Sequence, residues 1–271
     1  MIRNSNHILK ATLIFCGILL LGVQTYAQAV SKIEGEFLDH LNKLDKASNY
    51  GGSADYEVLA AENEGLQKAL VKYGARADLL RYGFPKLKQK MYITTSRDGK
   101  LRAYSWDTNE GGTMHDFITV FQYLATGGKT KTATDPYSQS MEDRAAGSFV
   151  TQIFQADTGA QATYLVVDTF IGSTSLAGQG IHAYRITGDK LDRKAKMIRT
   201  SSGITDSISF AYDFFSVVDH PERPVRLFSY NEANRSFRFP VVIEDSRTPQ
   251  GRVTNKLITY RFDGKYFVKV S

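Results

Sequence analysis

Between Tyr104 and Asp116 the chain reads YSWDTNEGGTMHD, a short stretch that gathers residue types able to do chemistry. It holds the only tryptophan, Trp106, together with Asp107, Glu110, His115 and Asp116. One use of such a set is recognition. An aromatic face stacks on the apolar side of a sugar or peptide, while carboxylates and imidazole supply directional hydrogen bonds. On that reading the ligand-binding residues are Tyr104, Trp106, Asp107, Glu110 and His115. A second use is hydrolysis, with His115 as base, Asp107 or Asp116 orienting it, and Thr113 or Ser105 as nucleophile. The plainest reading needs no ligand: a β-hairpin whose loop is polar and whose Trp106 is buried.

Other motifs that carry chemistry are incomplete. TGGKT (Thr126–Thr130) ends like a phosphate-binding loop, but the pattern's first glycine is Tyr123 and no helix pattern follows, so it reads as a β-turn. GSTSLAGQG (Gly172–Gly180) lacks glycines two residues either side of Ser173 or Ser175, and IHAYRI after it is strand-like. It reads as a flexible loop between strands. His40, His115, His182 and His220 show no ligand spacing, and no calcium loop pattern is present. No metal and no cofactor is expected.

The N-terminus sets the compartment. Arg3 and Lys10 lead into the apolar run Ala11–Val23, and QTYAQA follows, as in a secretory signal peptide. Residues 1–27 are assigned to it, with cleavage after Ala27 or after Ala29. The run is shorter than the roughly 20 residues of a membrane helix, so no membrane span is expected after cleavage. Cys16 lies inside the run without the small preceding residues a lipid attachment site needs, and leaves with the signal. A cysteine-free mature chain excludes disulfides, thiolate nucleophiles and Cys-ligated metals. Losing Arg3 and Lys10 takes two from the net charge of +6, leaving +4. That is too little for a dedicated nucleic-acid binder, and the basic stretch from Arg185 to Arg199, diluted by Asp189 and Asp192, reads as a solvated strand edge.

Residues 28–90 predict a helical layer. Ile33, Phe37, Leu38, Leu41 and Leu44 fall mostly at spacings of three and four, and Tyr56, Leu59, Leu66, Leu70 and Tyr73 repeat the stripe after SNYGGS. Ser53 or Asp55 caps the second helix, Gly74 closes it in a left-handed conformation, and a short helix runs from Arg76 to Tyr82. Residues 91–271 predict an antiparallel β domain. Asp98-Gly99 and Asp263-Gly264 each join two β-rich runs and suit type I′ turns. FQYLATGGKTKT, HAYRITGDKLDRK and FSYNEANRSFRF repeat the hairpin pattern. ATYLVVDTFIG and DSISFAYDFFSVV are apolar at both parities, as in sheets covered on both faces. Along Leu101–Asp107 alternation puts Arg102, Tyr104 and Trp106 on one face and Ala103, Ser105 and Asp107 on the other, with the return strand starting near Thr113. The fold class is mainly β (α+β): N-terminal amphipathic helices packed on a large antiparallel meander, propeller-like or sandwich-like.

The run TSRDGKLRAYSWDTNEGGTMHDF, preceded by ENEGLQKAL, resembles uncharacterised secreted proteins of Gram-negative bacteria that carry an SWDT-x-x-GGTMH segment. The resemblance covers mainly residues 60–125 and implies an exported, β-rich protein; it brings no activity or site. The expectation is a periplasmic or secreted, non-catalytic protein that binds an envelope ligand or protein, with the Trp106 hairpin as binding edge. The alternative is a periplasmic hydrolase of glycans or peptides using His115 and nearby acids. A binding edge at Trp106 implies partial quenching of its fluorescence by iodide.

Overall fold

The computed structural model describes residues 28–48, 53–135, 147–159 and 161–270. The signal-peptide assignment, residues 1–27, lies outside them. Helix α1 covers residues 28–47 and α2 covers Tyr56–Tyr73. The two leucine stripes are the buried faces, with Phe37, Leu44, Leu59 and Leu66 fully enclosed. Asp55 caps α2, its carboxylate accepting from the Val58 N–H at 3.1 Å. No described helix is long and apolar enough to cross a membrane.

Two local expectations differ. Gly74 is right-handed, with φ of −64°. Glycine is needed there for approach, since a Cβ would sit 2.0 Å from Thr132 Cγ2. Residues 76–82 form a turn rather than a helix, because side chains from the neighbouring sheet take their carbonyls. Buried Arg102 donates to the Leu79 and Tyr82 oxygens, and buried Gln122 to those of Gly74 and Arg76. Glu34 of α1 is 1% exposed and accepts from the Tyr82 hydroxyl and the Lys86 and Leu87 N–H groups, pinning this segment to the helix.

The strands in chain order are β1 (Tyr92–Thr95), β2 (Leu101–Asp107), β3 (Phe117–Leu124), β4 (Thr130–Thr134), β5 (Phe149–Asp157), β6 (Ala162–Ile171), β7 (Leu176–Thr187), β8 (Lys190–Asp192), β9 (Ile198–Thr200), β10 (Gly203–Thr205), β11 (Ser207–Asp213), β12 (Ser229–Asn231), β13 (Ser236–Asp245), β14 (Thr248–Phe262) and β15 (Phe267–Val270). The first sheet is the meander β1-β2-β3-β4. The second has the order β11-β7-β6-β5, with β8 paired to β7, and the third the order β10-β9-β15-β14-β13-β12. Pairing is antiparallel except for a short parallel match of β15 with β9. The meander expectation therefore holds locally; β11 returns to the second sheet after β9 and β10 have begun the third.

Alternation turns these sheets into layers. Tyr104, Trp106, Ile118 and Val120 pack under the helices. Leu101, Ala103, Phe121 and Tyr123, of opposite parity, pack on Val150, Ile153, Tyr164 and Val166 of the second sheet. Leu165, Val167, Ile181 and Ala183 then face Phe237, Tyr260 and Phe267 of the third, with Phe228 just before β12 in the same cluster. The stack is helices, sheet, sheet, sheet, sandwich-like rather than a ring of blades. β6 is covered on both faces, as ATYLVVDTFIG implies. DSISFAYDFFSVV is not, because its strand β11 is a sheet edge with Ser209 and Ala211 exposed, and Phe214–Val217 leave the strand as a short turn. Cross-strand aromatics hold the third sheet: Phe237 and Tyr260 are register partners with rings 5.3 Å apart and 2° from parallel.

The Asp-Gly turns are not type I′, because only the glycines take positive φ, +68° at Gly99 and +107° at Gly264. Asp98 is held otherwise: its carboxylate accepts from Ser96 Oγ, the Lys100 N–H and the Tyr164 hydroxyl. Asp263 likewise accepts from the Lys265 and Tyr266 N–H groups.

A single buried amide joins helix to hairpin. Asn63 of α2 is 0% exposed, accepts from Trp106 Nε1–H at 2.9 Å and donates to the Thr108 carbonyl at 3.0 Å. Asn63→Ala leaves both hairpin groups unpaired, at about 1–3 kcal/mol each. Urea denaturation is expected to show a loss of roughly 2–4 kcal/mol; an unchanged midpoint would contradict the bridge.

Candidate functional site

A cleft of about 800 Å³ opens at one end of the middle sheet. Its lining comes from separate segments: Tyr92, the 112–115 loop, Phe149, the end of β6, the β6–β7 turn, Tyr212, Phe214 and residues 223–225. Most of these side chains are apolar or aromatic, with a few polar groups among them, the usual make-up of a small-molecule site.

The loop between β2 and β3 supplies His115. The return strand begins at Phe117 rather than near Thr113, so the loop is longer than its sequence implies. Asn109 takes a left-handed φ of +58°, its N–H bonded to Asp107 Oδ1 at 2.9 Å. Thr108 N–H closes the loop on the Asp116 carbonyl, and His115 N–H bonds the Ile171 carbonyl, tying the loop to β6. Gly111 must be glycine, since a Cβ would lie 2.0 Å from the Met114 oxygen. These bonds set the His115 ring, whose Nδ1 is 2.5 Å from Asp107 Oδ2. The carboxylate fixes the imidazole's orientation and leaves Nε2 as the second polar atom.

One wall is aromatic. Tyr92 and Phe149 stack with centroids 4.2 Å apart, Phe149 meets Phe117 at 4.6 Å, and Phe117 lies 6.2 Å from His115. Burial, and then the charge of Asp107, raise the Tyr92 phenol above its ordinary value. Opposite, Tyr212 is 1% exposed and burial pushes its phenol up to about 12, so it stays neutral. Phe214 N–H donates to the Ser175 carbonyl at 2.6 Å, joining the Phe214–Val217 turn to the β6–β7 turn. Buried Gln179 donates to the Val225 carbonyl and accepts from Leu227 N–H, which seats residues 225–227 against β7. Thr169, 6% exposed, is among the lining residues, and its hydroxyl oxygen is itself buried, with no hydrogen-bond partner among the described residues.

The sequence-predicted residues divide. His115 lines the cleft, and Asp107 stands directly behind it. Glu110 belongs to the same loop but does not line the cleft; its N–H bonds Thr108 Oγ1. Tyr104 and Trp106 do not form a binding edge. They are 2% and 1% exposed, facing the helices, with Tyr104 donating to Gln122 and Trp106 to Asn63. Of the hydrolytic set, Thr113 is exposed and lines the cleft without a hydrogen bond to His115. Ser105 is fully buried, bonded to Thr119 Oγ1 and Val150 N–H, and is no exposed nucleophile. Asp116 accepts from Gly147 N–H instead of orienting His115.

Gly172–Gly180 is also corrected. Only residues 172–175 make the turn, and Ala177–Gly180 belong to β7. Its mid-strand glycines serve close contacts: a Cβ on Gly178 would lie 2.1 Å from the Phe170 ring. Ser173 Oγ, at the cleft, accepts from the Ser175 and Leu176 N–H groups, so it works as a turn residue. A second histidine–aspartate pair leaves no local signal in the sequence, because its members come from two neighbouring strands. His182 Nε2 is 3.2 Å from Asp168 Oδ1, while Ser148 Oγ donates to Asp168 Oδ2. Serine and histidine share one carboxylate there, which is not the order of a nucleophile–base relay. Among the described residues no group of three or more His, Cys, Asp or Glu is placed to hold a metal.

No protein-family model, curated protein or solved structure matches this chain.

Burial of Trp106 reverses the fluorescence expectation. Its emission is expected to be blue and insensitive to iodide in the folded protein, and a partly quenched tryptophan would contradict the helix-facing placement.

Proposed function

We propose that this protein is an exported, non-catalytic binding protein of the cell envelope that holds a small, largely apolar ligand in the cleft beside His115. The observation that carries the reading is the cleft itself: stacked Tyr92 and Phe149 face a few polar groups, and His115 is held in place by Asp107. The N-terminal sequence supports export, and the segment resembling secreted proteins contains this loop. Of the envelope ligand or protein expected from sequence, the cleft favours a small ligand, held beside His115 rather than on a tryptophan edge.

The hydrolytic alternative rests on the same His115–Asp107 pair. Among the described residues no hydroxyl is bonded to His115, Ser105 is buried and Ser173 serves its own turn. Binding uses more of the observed geometry than hydrolysis does.

The test takes protein from the periplasmic extract of cells expressing the whole chain, where intact mass should show loss of residues 1–27 or 1–29. It is titrated with N-phenyl-1-naphthylamine, an uncharged probe that brightens in apolar surroundings. Tyr92→Ala should weaken saturable binding about fivefold, the worth of one aromatic contact at about 1 kcal/mol. Tyr56→Ala, on the exposed side of α2, should not. Failure of the wild type to bind, or equal effects of both variants, would contradict the reading.

A further inference from the structure

Arg223 stands at the mouth of the cleft, exposed, with its guanidinium 5.7 Å from the ring centre of the lining residue Phe214. Its Nη1 donates to the His220 and Glu222 carbonyls and its Nη2 to the Val218 carbonyl. A guanidinium has five N–H donors, so these three bonds orient the group and leave Nε–H and one Nη2–H.

No carboxylate lies within ion-pair distance of Arg223 among the described residues. Of the acids near it in sequence, Asp213 accepts from Phe215 N–H and Glu222 meets His220, while Asp219, between the two carbonyls that hold the guanidinium, is exposed and makes no ion pair with it. The cleft therefore joins an apolar body to an oriented positive charge. Exposed apolar side chains continue the surface beside it, with Met114 at 44%, Phe215 at 59% and Val218 at 48%.

We propose that the ligand is an amphiphile with a single anionic head group. The head pairs with Arg223, and the apolar body lies between the Tyr92–Phe149 stack and the Tyr212–Phe214 side. A planar fork with two donors left suits a carboxylate, sulfonate or phosphate, each able to accept two parallel hydrogen bonds. An uncharged apolar ligand would leave this oriented cation without a counter-charge. The inference rests on the reading of the cleft as a ligand site and adds the charge of the ligand to it.

The experiment uses a matched pair of probes on the full-length mature protein. 8-Anilino-1-naphthalenesulfonate and N-phenyl-1-naphthylamine share one ring skeleton, and only the first carries an anion. Arg223→Gln is expected to weaken the sulfonate probe about tenfold, through loss of a charge-assisted bond that its exposure keeps modest. The uncharged probe should change less than about twofold on the same scale. Added sodium chloride should weaken the sulfonate alone in the wild type, a reading that stands even if the variant does not fold. Equal effects of Arg223→Gln on both probes, or salt-insensitive sulfonate binding, would overturn the anionic head and leave the cleft as a binding site. Absence of binding by either probe would remove the binding site and the proposal together.

Discussion

The candidate site depends on one buried side-chain amide. Asn63 accepts a hydrogen bond from the only tryptophan and donates one to the first carbonyl after β2. An unpaired amide, indole N–H or carbonyl at that depth would be costly, so all three groups fix one another. α2 is thereby docked on the first sheet in one rotation. Thr108 is held where its N–H meets the Asp116 carbonyl, and the loop between them presents His115 to the cleft. Trp106 is the anchor of the site rather than its contact surface.

The other determinant is layering. The middle sheet is apolar on both faces, with Tyr164 and Val166 turned one way and Leu165 and Val167 the other. It is sealed along most of its length, and its strands can meet a ligand only where the covering layers end. At that end the 108–116 loop, the β6–β7 turn and the segment from Tyr212 to Val225 converge on Thr169, Ile171 and Ala177. Each convergence is fixed by backbone bonds, from His115 to Ile171 and from Phe214 to Ser175, or by the Gln179 clamp on Val225 and Leu227. A site made from distant segments is therefore held by backbone hydrogen bonds between loops and by one buried side-chain amide.

Much of the scaffold was legible in the residues. The leucine stripes fixed the buried faces of both helices, and parity along Leu101–Asp107 assigned Tyr104 and Trp106 to one side and Ala103 and Ser105 to the other. The apolar run ATYLVVDTFIG showed that both faces of β6 are covered. The choice between platform and anchor for Trp106 was not legible, because it depends on Asn63, far away in sequence. His115 and Asp107 could be paired from the hairpin alone. Tyr92, Phe149, Tyr212 and Arg223 could not, since each is a commonplace residue of its own segment. The glycines of Gly172–Gly180 suggested a long loop because glycine marks turns; here two of them accommodate an aromatic ring and a neighbouring histidine within a strand.

The central claim is that a ligand engages the end of the middle sheet and nowhere else. Amide hydrogen exchange with and without N-phenyl-1-naphthylamine tests it most directly. The account predicts slower exchange confined to residues 108–116, 172–176 and 212–225, with the Phe237–Tyr260 strands unchanged. Protection centred on another surface, or none at saturating probe, would contradict it.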